Sequence, residues 1–233
     1  MIKTIALLIT GAITATVYVN AQTFTSGTFT SDSVLNLAGP SADELYGVSF
    51  GNSSAETTAN GYTFSADPGL GGPANTSLYG GQTDVNFLDG ATTGDAGFNA
   101  VLNDADVPGP SPSSLTLDNL TIGLTYNVLY LDTDDRTGVS ADRSFSITDG
   151  SVTSPSQLYS DPAGAASTID GGYILETFTA TATSETIADN QPNGAQLNGI
   201  LVEAVPEPSP IAMLTTGVSG LFVLIRRRRN SFS

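Results

Sequence analysis

The sequence contains no cysteine, no histidine and no tryptophan, and its one lysine is Lys3. Each absence removes a class of chemistry. Without Cys or His there is no thiol nucleophile, no Cys/His zinc centre and no Ser-His-Asp triad. Without Cys there is also no disulfide framework, so the fold has to be held by its core. Positive charge is scarce: 7 Lys and Arg stand against 23 Asp and Glu, for a formal net charge of −16. A chain this acidic repels phosphate backbones, which excludes nucleic acid as an expected partner. The 233 residues suffice for one domain of ordinary size with a sizeable core.

The charges that are present divide the chain. Met1-Ile2-Lys3 leads into an apolar run that reaches Val19, and Val19-Asn20-Ala21 closes it with small residues at the positions a signal peptidase reads. One positive charge, a short apolar core and such an ending form a secretory signal peptide. Cleavage after Ala21 makes Gln22 the first mature residue. At the other end, Pro206-Glu207-Pro208 precedes an apolar stretch over 211–225, and Arg226, Arg227, Arg228 and Arg229 follow it directly. A helix over 211–225 is about 22 Å long, short of the roughly 30 Å hydrocarbon core, so it suits a transient stay in the membrane better than a permanent one. The Arg cluster holds its end on the cytoplasmic side. The Pro-rich segment before it is extended and open to a protease.

That order of Pro-Glu-Pro, apolar helix and terminal Arg cluster resembles the PEP-CTERM sorting signal of Gram-negative bacteria. The resemblance implies export through the inner membrane, processing by an exosortase at or near Pro206-Glu207-Pro208, and a final place at the cell surface or in the extracellular matrix. It also implies an association with exopolysaccharide and biofilm. The expected division is therefore a signal peptide over 1–21, an ectodomain over 22–204 and a sorting signal over 205–233.

Residues 22–205 hold 22 acidic residues against Arg136 and Arg143 alone, a formal charge of −20. No fixed period recurs, which excludes a solenoid or propeller. Short runs rich in Thr, Val, Tyr and Phe predict strands around 45–50, 61–65, 114–118, 124–131, 145–147, 173–181 and 196–203. Pro68-Gly69, Gly80-Gly81, Pro108-Gly109, Asp149-Gly150 and Gly171-Gly172 punctuate them as turns or loops. A short helix is expected over 97–104, where Phe98, Val101 and Leu102 share a face. The predicted fold class is an all-β, antiparallel sandwich of the Greek-key or jelly-roll kind. Leu120, Gly123 and Tyr126 have the Leu-x-x-Gly-x-x-Tyr spacing that resembles the tyrosine corner of such sandwiches, in which the Tyr hydroxyl bonds to backbone upstream. Several short motifs, among them Gly47 to Gly51, Asn60 to Phe64 and Thr177 to Ala180, look like an uncharacterised family of secreted bacterial domains. That likeness implies a jelly-roll or galactose-binding-like sandwich and no established activity.

Chemistry has few places to reside. Asp132, Asp134 and Asp135 alternate as calcium ligands do, but the EF-hand pattern fails at Thr137 and Arg143. The competing expectation is that Asp132 or Asp135 pairs with Arg136 or Arg143, since these are the only cations available. Asp104 and Asp106 are expected to be solvated. Tyr46, Tyr62, Tyr79, Tyr130, Tyr159 and Tyr173 could stack on sugars, although strand positions favour the core. No catalytic residue is expected and no cofactor beyond calcium. Three readings stand: a non-catalytic, exosortase-processed matrix protein associated with polysaccharide; a calcium-dependent carbohydrate-binding or adhesion module; and a secreted glycan-active enzyme using paired carboxylates.

Overall fold

The computed structural model describes residues 22–50, 56–67, 76–77, 82–85, 87–88, 93–109, 112–136, 143–160, 169–192 and 194–206. The expected signal peptide, Glu207, Pro208, the stretch 211–225, the Arg cluster and Tyr79 lie outside these residues. Among the described residues no helix is long and apolar enough to cross a membrane.

The strands are β1 (Thr23–Phe29), β2 (Glu44–Phe50), β3 (Thr57–Ala59), β4 (Tyr62–Asp67), β5 (Thr76–Ser77) and β6 (Gln82–Val85). Helix α1 (Ala96–Asn103) follows, then β7 (Asp104–Gly109), β8 (Ser113–Leu117), β9 (Thr125–Asp132) and β10 (Ser144–Asp149). The chain continues through β11 (Val152–Thr153), β12 (Gln157–Leu158), β13 (Gly171–Thr179), β14 (Glu185–Asn190), β15 (Ala195–Leu197) and β16 (Gly199–Ala204). A 3-10 turn over Asp32–Leu37 and a shorter one over Ser41–Asp43 separate β1 from β2.

A seven-stranded sheet in the order β1-β13-β9-β16-β2-β4-β3 packs on a second sheet, β11-β10-β14-β8-β5, with β12 beside β10. A small third sheet runs β15-β7-β6. The sandwich is therefore all-β with few helices, as expected. It is not wholly antiparallel, because β2 and β4 pair in parallel over Gly47↔Phe64 to Phe50↔Asp67.

The large sheet is covered on both faces, and this explains its sequence. Tyr126, Val128 and Tyr130 of β9, with Ile200 and Val202 of β16, face Leu115, Leu117, Phe145, Ile147 and Ile187 of the second sheet. The intervening Leu129, Leu131 and Leu201 face the other way, against Phe98, Val101 and Leu102 of α1 and Val34 and Leu35 of the 3-10 turn. Strands buried on both faces read as continuous apolar runs instead of alternating ones. Helix α1 starts where the Asp95 carboxylate accepts the Phe98 N–H at 2.7 Å, an N-cap. It lies so close to β3 that a Cβ on Gly97 would come within 1.9 Å of the Thr58 carbonyl oxygen. The run 196–203 is divided at Asn198, whose side chain donates to the Leu102 and Asp104 carbonyls at 2.7 and 2.9 Å and so ends the helix.

The crossover before β9 has the geometry of a tyrosine corner. The Tyr126 hydroxyl accepts the Thr121 N–H at 2.9 Å. Gly123 sits at φ +89, a conformation that L side chains rarely adopt, and its N–H reaches the Ala180 carbonyl at 2.8 Å. Leu120 is buried beside them.

Candidate functional site

Asp132 ends β9 in the interior, and Thr133, Asp134 and Asp135 continue inside rather than in a solvated loop. Buried carboxylates need hydrogen bonds or cations. Asp134 takes the cations. Arg136 grips it in bidentate fashion, Nε to Oδ1 at 2.7 Å and Nη2 to Oδ2 at 2.9 Å, and Arg143 Nη1 reaches Oδ2 at 2.8 Å. The arginines are engaged by carboxylate, as expected, and Arg136 and Arg143 meet on Asp134, which the expected pairing with Asp132 or Asp135 had not included. The Arg136 guanidinium also lies 4.2 Å from the centre of the Phe87 ring, whose carbonyl accepts the Asp135 N–H at 3.0 Å.

Asp132 is held by amides. Gln196 Nε2 donates to its Oδ1 at 2.9 Å, and Gln191 Nε2 donates to its Oδ2 at 3.0 Å and to Asp189 Oδ2 at 2.9 Å. The Tyr159 hydroxyl orients Gln191 by donating to its Oε1 at 2.8 Å. Burial raises the Asp132 pKa far above the usual carboxylate range, and the nearby Asp189 and Asp134 charges add to this. The three aspartates expected as calcium ligands therefore spend two of their carboxylates on the protein's own donors. Among the described residues no group of three or more acidic side chains is arranged to hold a metal ion.

A second acidic cluster, which sequence reasoning missed, lies where β1, β13, β10 and β14 meet. Glu176 is wholly buried on the core face of β13 and accepts the Tyr130 hydroxyl at 2.7 Å. Gln22 Nε2 donates to Glu176 Oε1 and to Asp149 Oδ2, each at 2.5 Å. Asp149 in turn meets Glu185, and carboxyls in such contact must share protons. Burial, then the neighbouring Glu176, pushes Asp149 up to about 6, and burial with Asp149 pushes Glu185 up to about 7. Another buried carboxyl, Glu203 on β16, has no hydrogen-bond partner among the described residues at either oxygen and is pushed up to about 7 by burial and by Asp43 and Glu44.

Asp106 also departs from expectation. It is 1% exposed within β7, and Asp104 beside it is half-buried, with burial raising its pKa. The solvated reading of this pair fails because β6 and β15 flank β7.

The tyrosines separate cleanly. Tyr46, Tyr62, Tyr126, Tyr130 and Tyr159 are buried, which leaves Tyr173 as the one partly exposed tyrosine among the described residues. Its ring lies over Gly27, its cross-strand partner, where a Cβ would fall 2.9 Å from the hydroxyl. Beside it opens a cleft of about 440 Å³ between β1 and the following 3-10 turn.

No protein-family model and no curated protein matches this chain. Solved structures do. A calcium-binding mutant of Bacteroides uniformis beta-glucuronidase 2 is 16% identical, with a TM-score of 0.50 over 69% of this chain and 18% of that one. The plant receptor-like kinase FER is 14% identical, with a TM-score of 0.51 over 70% of this chain and 50% of its own. The likeness is one of fold. This chain spans half or less of each of those structures.

Proposed function

We propose that the protein is an exported, exosortase-processed and non-catalytic component of the cell surface or extracellular matrix, associated with exopolysaccharide. Its sandwich is of the jelly-roll or galactose-binding-like kind. The observation that carries the reading is the tail: Pro206-Glu207-Pro208, the apolar stretch 211–225 and the four consecutive arginines 226–229. The fold supports it in one respect. Strand β16 ends at Ala204 and Pro206 is exposed, so the processing motif starts where the packed domain stops.

The residue inventory and the placing of the carboxylates support a non-catalytic role. Glycoside hydrolysis by paired acids needs them about 5 Å or more apart across a sugar. Here Asp149 and Glu176 are buried, and Asp149 is in hydrogen-bond contact with both Glu176 and the half-buried Glu185. The calcium-dependent alternative draws no support from Asp132 and Asp134, which bond to Gln191, Gln196, Arg136 and Arg143.

The test is made in a host that carries an exosortase. Glu207→Ala, and deletion of 226–229, are expected to change the size and location of the product. Unchanged processing in both variants refutes the sorting reading. Native exopolysaccharide is expected to retain the purified chain equally in calcium and in EDTA, and a protein that washes through in both refutes the association.

A further inference from the structure

We propose that the cleft beside Tyr173 binds a neutral pyranose unit, with the Tyr173 ring as its stacking face. The proposal rests on the polysaccharide association above and places it on named residues. The cleft is lined by Thr28, Thr30, Ser31 and Ser33 on its polar side and by Phe29, Val34, Leu37 and Tyr173 on its apolar side. A pyranose has the matching two-sided character: C–H groups on its ring faces and hydroxyls around its rim. At about 440 Å³ the cleft falls within the range of small-molecule sites, roughly 300–1,000 Å³.

The geometry of the lining is fixed from behind. Phe29 and Val34 are buried, and Phe29 packs on Phe98 of α1 with ring centroids 5.6 Å apart, so the floor is held by the core. In front, Thr28, Thr30 and Ser33 are exposed, and Leu37 is 43% exposed. Ser31 stands at the N-cap of the 3-10 turn yet makes no cap bond; its hydroxyl pairs with that of Ser33 at 2.7 Å, within the cleft lining. Gly27 matters by its missing side chain, because any Cβ there would displace the Tyr173 ring.

Charge decides the class of sugar. Within residues 22–205, of formal charge −20, the described residues that line the cleft include no carboxylate and no cation. A uronate, sulfate or phosphate group would enter against the field of the domain and find no guanidinium, since Arg136 and Arg143 are both bound to Asp134. A hollow of about 520 Å³ near the tyrosine corner differs on both counts: Asp118 lines it and no aromatic ring does.

The test passes the full chain over immobilised dextran, galactan and β-1,3-glucan as neutral polymers, and over alginate as an anionic one. Retention is expected on at least one neutral polymer and not on alginate. Tyr173→Ala is expected to weaken that retention about tenfold, the contribution of one aromatic contact. Tyr173→Phe keeps the ring and should remain within about threefold, by the loss of at most one hydroxyl bond. Ser33→Trp fills the cleft from an exposed position and should abolish retention while leaving the urea midpoint unchanged. If the wild type binds a neutral polymer and Tyr173→Ala and Ser33→Trp bind it equally well, the cleft is overturned and the polysaccharide reading stands. If the wild type binds only alginate, the neutral-sugar assignment falls. If it binds none of these polymers nor native exopolysaccharide, both readings fall together.

Discussion

The two buried acidic clusters solve one problem in different ways. Around Asp134 the carboxylate is neutralised by Arg136 and Arg143, and Asp132 next to it is satisfied by glutamine amides. Around Glu176 the partners are the Gln22 amide, the Tyr130 hydroxyl and other carboxyls. Fixed cations keep their charge over the working pH range, whereas shared protons leave as pH rises. A domain with 22 acidic residues and two arginines cannot neutralise every buried acid with a cation, so it concentrates its cations at one point and relies on neutral donors and protons elsewhere.

The difference can be broken from the cation side first. Asp134→Ala removes the wholly buried acceptor of two guanidinium groups and is expected to cost about 3–5 kcal/mol, the usual loss when one partner of a buried pair is deleted. Urea unfolding at pH 7 measures it, and a loss under 1 kcal/mol would show that the arginines find water instead.

The next test is pH. Asp149, Glu176, Glu185 and Glu203 all have folded pKa values above their unfolded ones, with Asp149 near 6 and Glu185 and Glu203 near 7. The folded state then binds more protons than the unfolded state, so stability falls as pH rises through this interval. The melting temperature should be highest near pH 4 and decline up to about pH 7.5. A flat or rising profile over that range would remove the proton-sharing account. Glu203→Gln is expected to raise the melting temperature at pH 8 and leave it nearly unchanged at pH 4, because it removes a charge that has no partner.

Smaller effects sharpen the contrast. Tyr126→Phe takes the acceptor from the Thr121 N–H and touches neither cluster; a loss of about 1–2 kcal/mol, independent of pH, provides the reference slope. Gln22→Ala removes the half-buried donor shared by Asp149 and Glu176 and is expected to cost about 1 kcal/mol, more at pH 8 than at pH 4. Equal losses at both pH values would mean that the amide does not serve the charged forms.

The strands that carry the large sheet were legible because their residues are apolar on one or both faces: β2, β4, β9, β13 and β16 stand within a few residues of expectation. The helix was legible from Phe98, Val101 and Leu102. Strands β1, β6, β7 and β14 were not. Their sequences, such as Thr-Phe-Thr-Ser-Gly-Thr-Phe and Glu-Thr-Ile-Ala-Asp-Asn, put Thr, Ser and Asp where a strand pattern needs apolar contrast. The Asp132–Arg136 segment drew attention by composition, but its wiring was hidden. The partners of Asp132 are 59 and 64 residues away, and a glutamine gives no hint that it will be buried. The Glu176 cluster joins residues up to 154 apart and has no local signature at all.

Strand β16 occupies the middle of the large sheet, between β9 and β2. Without it, β1, β13 and β9 form one fragment and β2, β4 and β3 another, with no backbone ladder between them. A chain emerging from its N-terminus thus holds two half-sheets apart until residues 199–204 arrive, and only then can the core close. Assembly is necessarily late and non-local, which makes for slow folding. Val205 and the exposed Pro206 come directly after this closing strand, so the large sheet is complete only once nearly all of the described chain has been made.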